Sequence, residues 1–297
     1  MGFIIEDFGI AASVFLGLYV IYNINCLVII YHKSWKSSYS LLLFYGMVRM
    51  GGQISGVGFS IAGYTQYNWL IAYLIMSAEG YFLLVLGNLY FLIDEQFIAW
   101  GESPLKKPLF KFSIWNRPTF RSLFHFSLLP ANTFIVVSNT LLQGLSGDEL
   151  KTDPQAKLSN LLRIIGQTMF LASSLLVGFF TLRSYFKGIK TKTMVVLICI
   201  IPILSVRGVY GILACKIDDM NYFNVDNYID PSLGERMTIY EYVLSTTMEY
   251  LTASLLLNIY WVKKRFNEPH LSDLRVTADV ESIPMESIDH QSKREVL

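Results

Sequence analysis

Residues 69–93 read WLIAYLIMSAEGYFLLVLGNLYFLI, a run whose single charged group is Glu79. As a helix it rises about 37 Å at about 1.5 Å per residue, enough to cross a hydrocarbon core of about 30 Å. Working outward, runs of the same kind cover 8–31 and 39–63 before it, and 122–145, 158–183, 193–215 and 238–262 after it. The composition agrees: 53% of residues are apolar and 16% charged, against about 25% charged in a soluble domain. The expected fold is all-α, an integral membrane bundle of seven transmembrane helices over residues 1–265. Residues 266–297, rich in Glu, Asp, Ser and Lys, are expected to form a disordered cytosolic tail with Ser272, Thr277, Ser282 and Ser287 open to phosphorylation.

The first run is too long for the apolar region of a signal peptide. It is preceded by Glu6 and Asp7 instead of a basic cluster, so it reads as a retained helix. Orientation follows from the basic loops, which stay cytosolic. Lys33 and Lys36 lie in loop one, Lys106, Lys107, Lys111, Arg117 and Arg121 in loop three, and Lys187, Lys190 and Lys192 in loop five. Lys263, Lys264 and Arg265 close the seventh helix, whereas loop six carries Asp218, Asp219, Asp226, Asp230 and Glu235. The N-terminus is therefore expected outside and the C-terminus in the cytosol. The net charge of +1 sums opposed patches and gives no reason to invoke nucleic acid. Loop 94–121 mixes bases with Trp100, Phe110, Phe112 and Trp115, a pattern that can hold a segment against anionic headgroups and that an ordinary cytosolic loop also shows; this loop and the tail are the places for a cytosolic partner.

Deep charges carry the chemistry. Arg49, Glu79, Arg207 and Glu249 all fall far from an expected interface. Each costs about 2.5–3.5 kcal/mol at mid-bilayer, so they are expected to face inward and pair. Adjacent helices suggest Arg49 with Glu79 and Arg207 with Glu249. Arg163 and Glu241 form a shallower third pair or snorkel to water. His125, Asn132 and Asn139 repeat every seven residues on one face, Glu241, Ser245, Glu249 and Thr252 share another, and Gln53 lies one turn from Arg49. Such stripes imply either a polar cavity or interhelical hydrogen bonding. Gly52 and Gly56 offer small-residue spacing for close helix packing inside the bundle, and Pro130 and Pro202 are expected to kink their helices.

Several functions are excluded. No lysine lies in 238–262 for a retinal Schiff base, and of four histidines only His125 lies within a helix, too few for a membrane zinc hydrolase. No Gly-x-Gly-Asp protease motif occurs, and Asn258-Ile259-Tyr260 departs from the rhodopsin-class signature. No nucleotide-binding loop, cofactor site or metal site is expected, and the chain reads as non-enzymatic.

The segment 201–210, IPILSVRGVY, followed by Met248-Glu249-Tyr250, resembles a Pro-x-x-x-x-Arg-x-x-Tyr and late-helix Glu pattern of fungal seven-helix membrane proteins. Val48-Arg49-Met50-Gly51-Gly52 resembles the Arg-x-x-Gly second helix of an uncharacterised family of this kind. That family is distantly similar to the fungal lipid-translocating exporters, although Gly211 and Ile212 follow Tyr210 where the exporters continue Tyr-Arg-x-x-Glu. The resemblance implies roles for Arg207, Tyr210 and Glu249, then Arg49, in handling lipids. The expected function is transport or translocation of a lipid or amphipathic molecule, with membrane lipids as partners, in the plasma membrane or an endomembrane. The polar cavity is expected to be lined by Arg49, Gln53, Glu79, Asn132, Arg207, Tyr210 and Glu249. A receptor-like seven-helix sensor and a scaffold with structural ion pairs remain alternatives.

Overall fold

A computed structural model describes residues 3–66, 68–107, 119–141, 153–221, 227 and 231–269. Expectations that fall on 108–118, 142–152, 222–226, 228–230 and 270–297 lie outside them. The described residues form helical rods joined by turns: α1 (Glu6–Lys33), α2 (Tyr39–Ala62), α3 (Asn68–Trp100), α4 (Phe120–Leu141), α5 (Pro154–Phe186), α6 (Lys192–Leu213) and α7. The last is continuous but changes pitch, running α-helical over Pro231–Tyr240, π-helical over Glu241–Thr246 and α-helical over Thr247–Phe266. It starts well before the expected residue 238, and α3 and α5 also overrun their expected bounds.

Five of these helices, α1, α3, α4, α5 and α6, are long and apolar enough to cross a membrane. α2 and α7 fall short because they carry much of the polar interior: Arg49 and Gln53 on α2, Glu241, Ser245, Glu249 and Thr252 on α7, all buried. Helices whose apolarity is diluted in this way must be shielded by their neighbours. α3 is the central mast. Its most apolar window is 78% buried, against 22% to 39% in the other four spanning candidates, and it touches α2, α4, α5, α6 and α7. Around it α1 packs on α2, α4 on α5, α5 on α6 and α6 on α7, and α7 closes the ring against α1.

Local chemistry sets the ends. Glu6 and Asp7 open α1, and His32 and Lys33 close it, complementing its dipole. Asp153 caps α5 by accepting from Gln155 N at 2.7 Å, with Pro154 in the first turn. Gly63 ends α2 at a φ of 60°, where a side chain would strain the backbone. Asn267 ends α7 in the left-handed conformation. A methyl at Gly56 would meet Phe8 and Tyr73 at 3.3 Å, so this small residue serves packing within the bundle.

The chain just beyond α7 is bonded. Glu268 accepts from Lys192 N at 2.9 Å and from the Thr193 hydroxyl at 3.2 Å, covering the start of α6. The Pro269 carbonyl receives Lys263 Nζ at 3.2 Å.

Candidate functional site

Arg49 lies midway along α2 and Glu249 midway along α7, and both are fully buried. Glu249 gathers two arginines. Arg207 Nε donates to Oε1 at 2.6 Å, and Arg49 Nε stands 3.1 Å from Oε2. The second contact is electrostatic, because the Arg49 Nε–H points at the Tyr19 hydroxyl, 3.3 Å away. Arg49 Nη2 donates to Thr246 Oγ1 at 3.1 Å, and the Tyr19 hydroxyl meets that of Tyr45 at 3.0 Å. The Arg207 guanidinium lies 5.0 Å from the Tyr81 ring centroid, a cation–π arrangement that helps offset burial.

The expected partner of Arg49 is thereby corrected. Arg207 with Glu249 is present, but Arg49 joins the same carboxylate and Glu79 stands elsewhere, accepting from Asn132 Nδ2 at 2.5 Å. Gly80 explains the switch. A Cβ there would meet Arg49 Cγ at 3.3 Å and Glu249 Oε2 at 3.2 Å, so the missing side chain lets the arginine lie across α3 and reach α7. Arg163 and Glu241 are not paired to one another either. Arg163 donates to Asn221 Oδ1 and to the Ala214 carbonyl, both at 3.3 Å, and Glu241 accepts from the Tyr73 hydroxyl at 2.9 Å.

The polar stripe on α7 does face inward: Glu241, Ser245, Glu249 and Thr252 are all buried. The π-helical turn adds Tyr242 and Thr246 to the buried arc. Such turns often mark functional positions, because they redirect side chains without breaking the helix. Tyr242 donates to Gln53 Oε1 at 3.2 Å, which ties the expected Gln53 to the same layer. Arg49 Nη1, Gln53 Nε2, Ser245 Oγ and Thr252 Oγ1 are buried with no hydrogen-bond partner among the described residues. Polar atoms so placed call for one.

Beside this triad lies a cavity of about 40 Å³. Ser77, Asn139, Arg163, Gln167 and Arg207 supply its polar wall, with Leu74, Ala78, Ile135 and Gly211 between them. Two arginines from different helices thus converge on one small chamber, one of them backed by Glu249. At about 1.5 Å per residue, Arg207 lies about 9 Å from the Leu213 end of α6 and Arg163 about 14 Å from the Pro154 end of α5. The chamber is therefore nearer the end of the bundle that carries the chain's N-terminus.

Of the seven residues expected to line a cavity, Arg207 alone stands in the wall of this chamber; Arg49 and Glu249 form the ion cluster behind it, and Gln53 is bonded to Tyr242. Tyr210 is buried in α6, three residues from Arg207. Glu79 and Asn132 form a separate, half-buried pair between α3 and α4. The α4 stripe otherwise holds, since Asn139 lines the chamber and His125 tilts against Phe82 at 6.2 Å.

Sequence reasoning missed the tyrosines that surround the arginines, Tyr19, Tyr45, Tyr73 and Tyr81, although a count of 18 tyrosines was a signal in an apolar chain. It also missed a buried ion pair at the opposite end, where Lys263 of α7 meets Glu95 of α3 and Thr191 donates to Glu95 Oε2 at 2.9 Å. No family model, no curated protein and no solved structure matches the chain, so the residues themselves are the guide to what this bundle does.

Proposed function

We propose that the chain is a non-enzymatic membrane protein of seven spans, N-terminus outside and C-terminus cytosolic, that translocates an anionic lipid or amphipathic molecule. One observation carries the reading: Arg163 and Arg207 converge on one polar chamber inside the bundle. An anionic head entering between them would form charge-assisted hydrogen bonds. Glu249 balances Arg207 when no anion is present, which gives a physical reason to keep these costly ions inside the bundle. A chamber of about 40 Å³ has room for about three waters, by the scale of one probe sphere each, so a headgroup requires the helices to part. Pro202 inside α6 and the π-helical turn of α7 are the places where they can.

The test is movement of headgroup-labelled lipid between leaflets of proteoliposomes, followed with a membrane-impermeant quencher. Wild type is expected to move an anionic lipid above empty vesicles, and folded Arg207→Ala and Glu249→Gln variants to lose most of that rate. Equal rates in protein-containing and empty vesicles would remove translocation.

The Lys263–Glu95 pair favours a second reading, a receptor-like sensor. It ties α3 to α7 at the basic end, where a ligand-driven rearrangement would be read by cytosolic partners. Ligand-dependent recruitment of a G protein or arrestin supports that reading.

A further inference from the structure

α1 leans on the Pro231–Tyr240 stretch of α7 more closely than on the Thr247–Phe266 stretch. Where the two helices part, a groove of about 370 Å³ lies between them, walled by Ile21, Tyr22 and Asn25 on α1 and by residues of α7 from Tyr250 to Trp261. At about 1.5 Å per residue it follows α7 for about 16 Å, so its volume is long and narrow. Its back is fixed: Tyr22 and Tyr250 stand edge to face at 6.4 Å, and Tyr22 also meets Tyr45 at 6.0 Å. A groove of this size, with apolar and aromatic walls and a few polar groups, has the make-up of a ligand site.

Its hydrogen-bonding side chains gather toward one end. Asn25 precedes Lys33 and Asn258 precedes Phe266 by the same number of residues, so each sits about 12 Å from the basic end of its helix. Both are exposed, amid the equally exposed Ile21, Ile24, Val28 and Leu251. Asn25 commits Nδ2 to the Ile21 carbonyl at 2.9 Å, which leaves Oδ1 as an acceptor. Ser254 and Asn258, one turn apart, make no hydrogen bond with any described residue. Within a bilayer no water stands in for such a partner. Toward Ile21 and Leu251 the wall turns apolar.

This gradient is that of a lipid in the leaflet on the basic side, with its head toward the helix ends and its chain toward mid-bilayer. The head is small and neutral, because the wall carries no acidic or basic side chain and a phosphate at this depth would be a desolvated, unpaired charge. A hydroxyl meets the groups on offer, donating to Asn25 Oδ1 and accepting from Asn258 Nδ2. A helix fits less well, since close helix approach needs small residues and Ser254 is the one such residue in the wall. We infer that the α1–α7 groove binds a neutral acyl lipid with a hydroxyl head, read by Asn25, Ser254 and Asn258. The inference uses none of the residues proposed for translocation. It shares with that reading only that α1 and α7 cross the bilayer, which the accessibility of epitopes at the N-terminus and after Pro269 tests separately.

The experiment places the full chain in phosphatidylcholine nanodiscs with a diacylglycerol carrying a diazirine in one acyl chain, and maps the cross-linked peptides by mass spectrometry. Labelling is expected on residues 21–25 and 250–261. Unlabelled dioctanoylglycerol should compete, and dioctanoyl phosphatidic acid, with the same chains and a charged head, should not. Asn25→Leu and Asn258→Leu are each expected to raise the probe concentration for half-maximal labelling by about fivefold, the effect of one neutral hydrogen bond. Asn258→Gln should recover part of the loss. Thr168→Val, at an exposed position on α5 outside the groove, should leave labelling unchanged. Leucine suits a lipid-facing position, and melting temperatures confirm that each variant is folded before it is scored. Labelling spread evenly over the exposed helix faces, equal competition by phosphatidic acid, wild-type labelling in both asparagine variants, or the same loss in Thr168→Val overturns the inference. So does a change from dimer to monomer in the leucine variants with labelling unaltered, because the groove would then hold a second copy of the chain.

Discussion

At Glu249 one carboxylate serves two guanidinium groups, and the asymmetry of that arrangement is testable. Removing the carboxylate leaves two like charges buried side by side, whereas removing Arg49 leaves a one-to-one pair with Arg207 intact. Breaking a buried ion pair by deleting one partner costs about 3–5 kcal/mol. Glu249→Gln is expected to lose at least that much, and Arg49→Met distinctly less, read as thermal unfolding in detergent. The double variant should be less destabilised than the sum of the two; strict additivity would mean the two residues do not interact. Gly80 supplies a second prediction. An added methyl must displace Arg49 or Glu249, so Gly80→Ala is expected to cost about 1–3 kcal/mol. Gly87→Ala on the same helix meets nothing closer than 3.7 Å and should be neutral or slightly stabilising.

Between elements, α3 and α7 are joined twice, through the Arg49 side chain lying across Gly80 to Glu249 and through Glu95–Lys263. Glu95→Gln and Lys263→Met should each destabilise the fold by about 3–5 kcal/mol, while Glu95→Leu with Lys263→Met should recover most of the loss, because an apolar pair removes both desolvation costs. If the double variant is as unstable as the singles, the pair has a role beyond charge neutralisation. The rods themselves were legible in the sequence, because apolar runs between basic turns leave few other folds. Arg207 with Glu249 was legible because α6 and α7 are neighbours in sequence and in space. Arg49 was misassigned because neighbourhood says nothing about rotation around a helix axis, nor that a glycine opens a path over α3. The π-helical turn left no mark, since an extra residue in a turn changes neither composition nor hydropathy. Glu95–Lys263 was hidden because bases at a helix end already satisfy the positive-inside rule, so Lys263 read as one more interfacial lysine.

For the whole molecule, the seven crossings proposed above would put the two termini on opposite sides. An epitope at the N-terminus is expected to react with an impermeant reagent in intact cells, and one placed after Pro269 only after permeabilisation. Labelling of both without permeabilisation would mean that α2 or α7, the two rods of lowest apolarity, fails to cross. Those two rods hold Arg49 and Glu249, so they are expected to settle in the bilayer with the help of the more apolar helices around them. The turn beyond α7 has a practical corollary. Glu268 closes the start of α6 and Pro269 receives Lys263, so a stop codon or fusion junction placed at Phe266 would fray a helix nearly eighty positions upstream. A shortened version ending after Pro269 keeps both contacts and is the one to purify.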